Sequence, residues 1–343
     1  MPKLPLTFAC DNYAFTRALK DGSVEVDGVD LNYLTVFPAE NFQRMIQHRE
    51  FDAAEMGLKF YICSLELDDP PFIAIPVFPC RIFRHSAIFV SEASPVKKPK
   101  DLIGRRVGEL FAYGHDAAIW ARGVMSDEYG VPIDSVTYHV GRLERDMGRD
   151  FAPFGPPPHI RVETLRPDQT LDAMLASGEI DALYSALDPP SFSRRTGKVR
   201  RLFETYEEVE RAYYRKTGIF PIMHTVVIRR DLYRANPWIA QSLYQALKEA
   251  KSRAMAAMHA HASHMHRLDM IPFLTAHHEE NRALFGDDFW PYGLEANRKT
   301  LEAFLRYHHE QGLSRRLHKP EELFAPETLT EYFPYPAALR EHR

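Results

Sequence analysis

The sequence predicts an α/β fold of two similar lobes joined by crossing strands, and three observations carry that prediction. Strand-like and helix-like stretches alternate through the first two-thirds of the chain, as in layered α/β structure. The run Glu50-Phe51-Asp52-Ala53-Ala54 recurs as Glu179-Ile180-Asp181-Ala182-Leu183 at an offset of about 129 residues, each copy after a short amphipathic helix. From Asn236 onward the pattern becomes helical, over 238–266 and 295–312, which predicts a C-terminal third that wraps one lobe.

Leu4 to Ala9 reads as a strand, followed by a polar turn at Asp11-Asn12-Tyr13 and a helix through Phe15, Ala18 and Leu19. Val29 to Val36 is a second apolar strand. Asn41 to His48 is a helix with Phe42, Met45 and Ile46 at helical spacing, and it leads into the first copy of the repeated strand. Phe72 to Phe78 is apolar and β-rich, and Arg81 to Val90 alternates as one long strand should. The polar, proline-bearing stretch 94–100 marks a change of unit. A short strand through Val107 and a helix from Asp116 to Tyr129, stopped by Gly130, come next. The Gly-, Pro- and charge-rich region 141–159 reads as a long surface loop. A helix through Leu171, Met174 and Leu175, closed by Gly178, delivers the second copy of the repeated strand. With Arg81–Val90 and Ile219–Ile228 as the two crossings, one lobe is discontinuous, 1–88 plus 220–343, and the other spans 89–219.

The chain has 343 residues, which suits about two domains. Apolar residues at 45% and charged residues at 26% exclude a disordered, collagenous or coiled-coil chain. A formal charge of −4 is too balanced for a nucleic-acid binder that works by phosphate neutralisation. No apolar run reaches the roughly 18 residues of a membrane helix. Cys10, Cys63 and Cys80 lie in apolar surroundings without metal-ligand spacing and read as reduced core thiols. The basic start, Met1 to Cys10, is followed by no apolar signal core, which predicts a cytoplasmic protein. Arg dominates the basic residues, and its fork suits carboxylates, so an anionic small ligand is expected.

Four constellations are candidates for chemistry. Arg81-Ile82-Phe83-Arg84-His85-Ser86 puts two guanidiniums and an imidazole into an apolar stretch. They need either salt bridges on an edge strand or a cleft holding an anion, and the position at a crossing favours the cleft. As a strand, the segment sends Arg81 and His85 to one face and Arg84 to the other. Glu109 to Asp116 reads as a strand end feeding a helix N-terminus, a place that favours an anion, with Tyr113 and His115 over it. A capped helix with two polar aromatics is the alternative. His224 opens the return crossing, either as a satisfied core histidine or as a cleft residue. Asp188, in the loop Ser185–Pro190, is placed to orient a histidine or to serve as a turn residue. His259, His261, His264 and His266 divide between helical faces and predict a solvated helix rather than a metal site. His277-His278-Glu279-Glu280 lacks the spacing of a zinc-protease helix.

The stretches Phe78…Arg81-x-Phe83-Arg84-His85-Ser86, Asp101-Leu102-x-Gly104-x-Arg106-Val107-Gly108, Trp120-x-Arg122-Gly123, Glu128-Tyr129-Gly130-Val131 and Thr217-Gly218-Ile219-Phe220-Pro221-Ile222-Met223-His224 together resemble the 4,5-dihydroxyphthalate decarboxylase family. The similarity runs over nearly the whole chain. It implies a two-lobed α/β fold like that of type II periplasmic binding proteins, with the ligand in the cleft between lobes joined by crossing strands. It also implies nonhydrolytic loss of CO2 from 4,5-dihydroxyphthalate, giving protocatechuate (3,4-dihydroxybenzoate), in bacterial phthalate degradation.

That chemistry needs anion clamps for an ortho-dicarboxylate, for which Arg81, Arg84 and the helix start at Tyr113–Asp116, with His115, are the candidates. The ring carbon needs an acid that titrates near neutrality, which points to His85 or His224, oriented by Glu109 or Asp188. No organic cofactor motif is present and the route requires none. A divalent metal chelated by the catechol oxygens is compatible with it, but no ligand set is visible. The expected partner is a small aromatic dicarboxylate, with no nucleic acid and no membrane; a homo-oligomer is compatible with the sequence. The rival reading is a non-catalytic solute-binding protein of an ABC or tripartite uptake system for aromatic acids, which the fold by itself favours. The missing signal core and the three thiols weigh against it.

Overall fold

The computed structural model describes residues 2–144, 156–263 and 270–330. Two sheets organise them. The first runs β2 (Val29–Thr35), β1 (Leu4–Cys10), β3 (Ala53–Gly57), β11 (His224–Arg229) and β4 (Phe72–Ile75). The second runs β10 (Val199–Arg201), β5 (Ile88–Ser91), β9 (Ala182–Tyr184), β6 (Arg106–Leu110), β7 (Thr137–Gly141) and β8 (Arg161–Thr164). Every strand of the second sheet therefore comes from between β4 and β11 in sequence.

The repeated unit occupies the same station in both sheets. β3 lies parallel to β1 and antiparallel to β11; β9 lies parallel to β6 and antiparallel to β5. The two repeat aspartates also act alike. Asp52 accepts the Thr7 amide of β1 at 2.8 Å, and Asp181 accepts the Arg106 amide of β6 at 3.1 Å. Each carboxylate thus satisfies a backbone donor of the neighbouring parallel strand.

The first crossing departs from the expected long strand. Arg81 makes only an isolated antiparallel bridge with Ile222, a 3-10 turn follows at His85–Ala87, and β5 begins at Ile88. The turn replaces a two-faced alternation, so Arg81, Arg84 and His85 enter three different environments. The return crossing becomes a strand only at His224.

The helix Asp116–Tyr129 ends at Gly130 in the left-handed conformation (φ +64°), as its C-terminal glycine predicts. Trp238–Ser263 and Arg298–Glu310 confirm the C-terminal helices, and Leu274–Phe285 adds one that contains His277 and His278. The C-terminal third does not wrap one lobe alone. Ala325 donates to Ala74 beside the first sheet. The helix Arg298–Glu310 instead packs on Asp116–Tyr129, and Tyr307 donates to Asp127 at 2.7 Å. Gly123 makes that approach feasible, because a Cβ there would fall within 2.3 Å of the Tyr307 ring. Among the described residues no helix is long and apolar enough to cross a membrane.

Candidate active site

A cavity of about 520 Å³ opens between the two sheets, within the size range of small-molecule sites. Much of its wall is apolar, with Phe37, Phe42, Phe60 and Met223 from the first-sheet side and Leu187 from the second. Polar side chains interrupt that wall, Glu40 and Gln43 among them, and Tyr13, Arg84, His115, Asp116 and His224 are the ones that bear on chemistry.

His224 stands at the first residue of β11, opposite Gly57 of β3. Its Nδ1 lies 2.6 Å from Oε1 of Glu55, a fully buried carboxylate two residues earlier on β3. Glu55 also accepts the Tyr13 hydroxyl at 2.7 Å and the Asp11 amide at 3.2 Å. Burial pushes the Glu55 carboxyl up, but the His224 contact, then Tyr13 and the Asp11 amide, hold it below its ordinary value. An ionised Glu55 at Nδ1 fixes the ring and stabilises an imidazolium, with Nε2 left for the cavity. The ring also meets Phe42 edge-on at 4.9 Å. Sequence reasoning missed Glu55. Its signal was present as a carboxylate inside the apolar run Ala53-Ala54-Glu55-Met56, a position that demands a polar partner.

Arg84 is 4% exposed yet forms no hydrogen bond or ion pair with any described residue. Burial lowers it to about 10, so it remains a cation at neutral pH. His115 caps the start of the helix Asp116–Tyr129 through its backbone, and its buried Nε2 has no partner. Burial, followed by the nearby Arg84 charge, keeps that imidazole neutral. The result is a buried fork and a helix N-terminus on one wall, a combination that attracts a carboxylate. Asp116, the first residue of that helix, accepts the Lys59 amide at 2.7 Å through Oδ1. Burial raises its carboxyl to about 6, against His224, Lys59 and Arg84. The neighbouring Cys80 thiol is pushed up to about 12 by burial and stays protonated.

The other expected site residues lie elsewhere. Arg81 spends its guanidinium on Phe220 O, Pro291 O and Asn297 Oδ1, which ties the crossing to the C-terminal segment. His85 is boxed by Tyr129, Phe203 and Tyr213, and burial lowers it to about 4, so it is no proton donor to the cleft. Glu109 orients no histidine: it forms a fully buried pair with Arg122 and accepts the Gly114 amide at 2.5 Å. Tyr113 stacks on that same Arg122, 4.0 Å from its ring centre, behind the cavity wall. Asp188 is half exposed and faces Arg201 at 3.7 Å. His259 and His278 contact each other at 2.9 Å, while His264 and His266 lie outside the described residues. Among the described residues, no group of three or more His, Cys, Asp or Glu side chains is arranged to hold a metal ion.

No family model matches the chain. It is 32% identical over 332 residues to a 4,5-dihydroxyphthalate decarboxylase of Comamonas testosteroni, covering 97% of this chain and 99% of that one. It is 33% identical over 215 residues to a 4,5-dihydroxyphthalate decarboxylase of Pseudomonas putida, covering 63% of this chain and 83% of the relative. Among solved structures, it resembles a periplasmic sulfonate-binding protein of Methylobacillus flagellatus at TM-score 0.54 and 16% identity, over 96% and 93% of the two chains. The periplasmic aliphatic sulphonate-binding protein of Escherichia coli matches at TM-score 0.51 and 13% identity, over 96% and 99%. At such identities the likeness concerns the fold, which is the two-lobed type expected from the sequence.

Proposed function

The chain belongs to the 4,5-dihydroxyphthalate decarboxylase family, and we propose that its interlobe cavity carries out that reaction with Arg84 as substrate clamp and His224 as proton donor. It is accordingly a carboxy-lyase that converts 4,5-dihydroxyphthalate to 3,4-dihydroxybenzoate and CO2. One observation carries the site assignment: a buried, unpartnered Arg84 and a Glu55-tethered His224 share one largely apolar cavity. A free guanidinium costs too much to bury unless a ligand completes it.

In this reading the carboxylate that stays on the ring pairs with Arg84. The carboxylate that leaves faces the apolar wall at Phe42 and Phe60, where a charged group is poorly solvated and neutral CO2 is not. Each carboxylate of the substrate stands para to a hydroxyl. Withdrawing the proton of that hydroxyl pushes electrons into the ring, and His224 protonates the carbon that bears the leaving group. The resulting keto intermediate expels CO2 as its C–C bonding pair restores the aromatic ring. Glu55 stabilises the imidazolium before this transfer. Cys10 and Cys80 form no disulfide, which suits a reducing compartment, and the proposal is for a cytoplasmic enzyme.

Incubation with 4,5-dihydroxyphthalate, with and without a chelator, tests the reading. CO2 and 3,4-dihydroxybenzoate should appear in both arms. Tight binding of the substrate without CO2 would instead identify a solute-binding protein.

A further inference from the structure

We propose that Asp116 is the base of this reaction, its free carboxylate oxygen taking the proton of the ring hydroxyl para to the leaving carboxylate. The assignment rests on the decarboxylase reading and supplies the group which that reading lacks.

The geometry separates the two oxygens of Asp116. Oδ1 is gripped by the Lys59 amide at 2.7 Å, which fixes the carboxylate plane. Oδ2 has no hydrogen-bond partner among the described residues, and the side chain forms part of the cavity wall. The space beside Oδ2 is kept open by Gly57, where a Cβ would stand 2.5 Å from that oxygen. A residue that served only to tie the helix Asp116–Tyr129 to the start of Leu58–Leu65 would need Oδ1 alone. One fixed oxygen and one open oxygen suit proton transfer at a defined atom.

The charged and titratable surroundings agree with this role. Asp116 faces His224 from β11, Lys59 from the helix Leu58–Leu65, and Arg84 and Cys80 from the first crossing. His224, Lys59 and Arg84 favour its ionised form, while burial opposes it and raises the carboxyl to about 6. Asp116 is therefore ionised at neutral pH but more basic than a surface aspartate, which suits a phenol as proton source.

The proton balance closes. Asp116 takes the hydroxyl proton, and the oxygen's electron pair moves through the ring to the para carbon. That carbon receives a proton from the imidazolium of His224. The C–C bond to the carboxylate then breaks, its pair rebuilds the aromatic ring, and the oxygen recovers its proton from Asp116. The net change consumes the one proton lost by His224, which solvent restores, and releases one CO2.

The test is the pH profile of kcat for the wild-type chain and Asp116→Asn, with 4,5-dihydroxyphthalate as substrate. The wild type should show an acid limb near pH 6. The Asn variant should lose about 10²–10⁴-fold in kcat at pH 7, lack that limb, and regain activity at alkaline pH where the catechol ionises unaided. A variant that keeps the limb with near-normal kcat overturns the assignment, as does an even loss at every pH. If the Asn variant does not fold, Gly57→Ala, which crowds Oδ2 but leaves the carboxylate, is read in the same assay; an unchanged kcat and limb overturns the assignment. A wild-type chain that releases no CO2 removes the decarboxylase reading itself, an outcome distinct from a decarboxylating wild type whose Asn variant behaves normally.

Discussion

Nδ1 of His224 meets Oε1 of Glu55 at 2.6 Å, although 169 residues separate them in sequence. The contact exists because β11 returns from the second lobe and inserts antiparallel beside β3. It makes His224, alone among the expected histidines, both oriented and open to the cavity.

Replacing His224 by Ala should lower turnover about 10²–10⁴-fold while the substrate still binds, the usual share of a positioned acid. Glu55→Gln keeps a hydrogen-bonding group at Nδ1 but removes the charge that stabilises the imidazolium. Its kcat should fall while KM changes little. Steady-state kinetics on both variants check this, and a normal kcat in His224→Ala would transfer the donor role to another group.

Arg84→Ala should abolish turnover and weaken phthalate-type ligands by about 2–4 kcal/mol, as loss of a buried charge-pairing group does. Arg81→Ala should behave differently, because its partners are the protein's own carbonyls and Asn297. It should lower the melting temperature and leave ligand affinity in the folded protein intact. Calorimetry with phthalate on both variants separates the two arginines.

His85 predicts an acid-side instability. Its ordinary value is near 6.5, and burial in the aromatic box lowers the folded-state value to about 4. The unfolded chain therefore binds a proton that the folded chain refuses, so stability is full above about pH 6.5 and falls as pH drops toward 4. The loss is on the order of 3 kcal/mol by pH 4. Urea midpoints at pH 7 and pH 5 should differ less in His85→Phe than in the wild type.

Glu109→Ala should be among the most destabilising single changes, by about 3–5 kcal/mol, because it leaves Arg122 buried without its carboxylate. It also frees the Gly114 amide at the start of the loop leading to His115 and Asp116. Thermal denaturation checks the first effect. A raised KM for the residual folded protein would show that the cavity wall has shifted with it.

Much was legible in the sequence because it depends on local physics. Alternation, helix stops at glycine and the repeated Glu-x-Asp-Ala unit announced two similar α/β lobes, and the two repeat aspartates proved to share one backbone-capping role. The motif stretches announced the family. What a side chain touches was a different matter. Arg81 and Arg84 are the same residue type three positions apart, yet the first gives its two terminal nitrogens to carbonyls of residues 220 and 291 and to Asn297, and the second has no hydrogen-bond partner among the described residues. His85 and His224 looked equally suited to proton transfer, but a 3-10 turn sent the first into an aromatic box, while β11 set the second beside Glu55. Glu109 found Arg122 rather than a histidine, through packing of a helix onto its own strand's neighbour. The residue types and local geometry that make acid, base and clamp available are written in the sequence. Which of them does each task depends on long-range strand pairing and desolvation, and those arise only when distant segments close around one cavity.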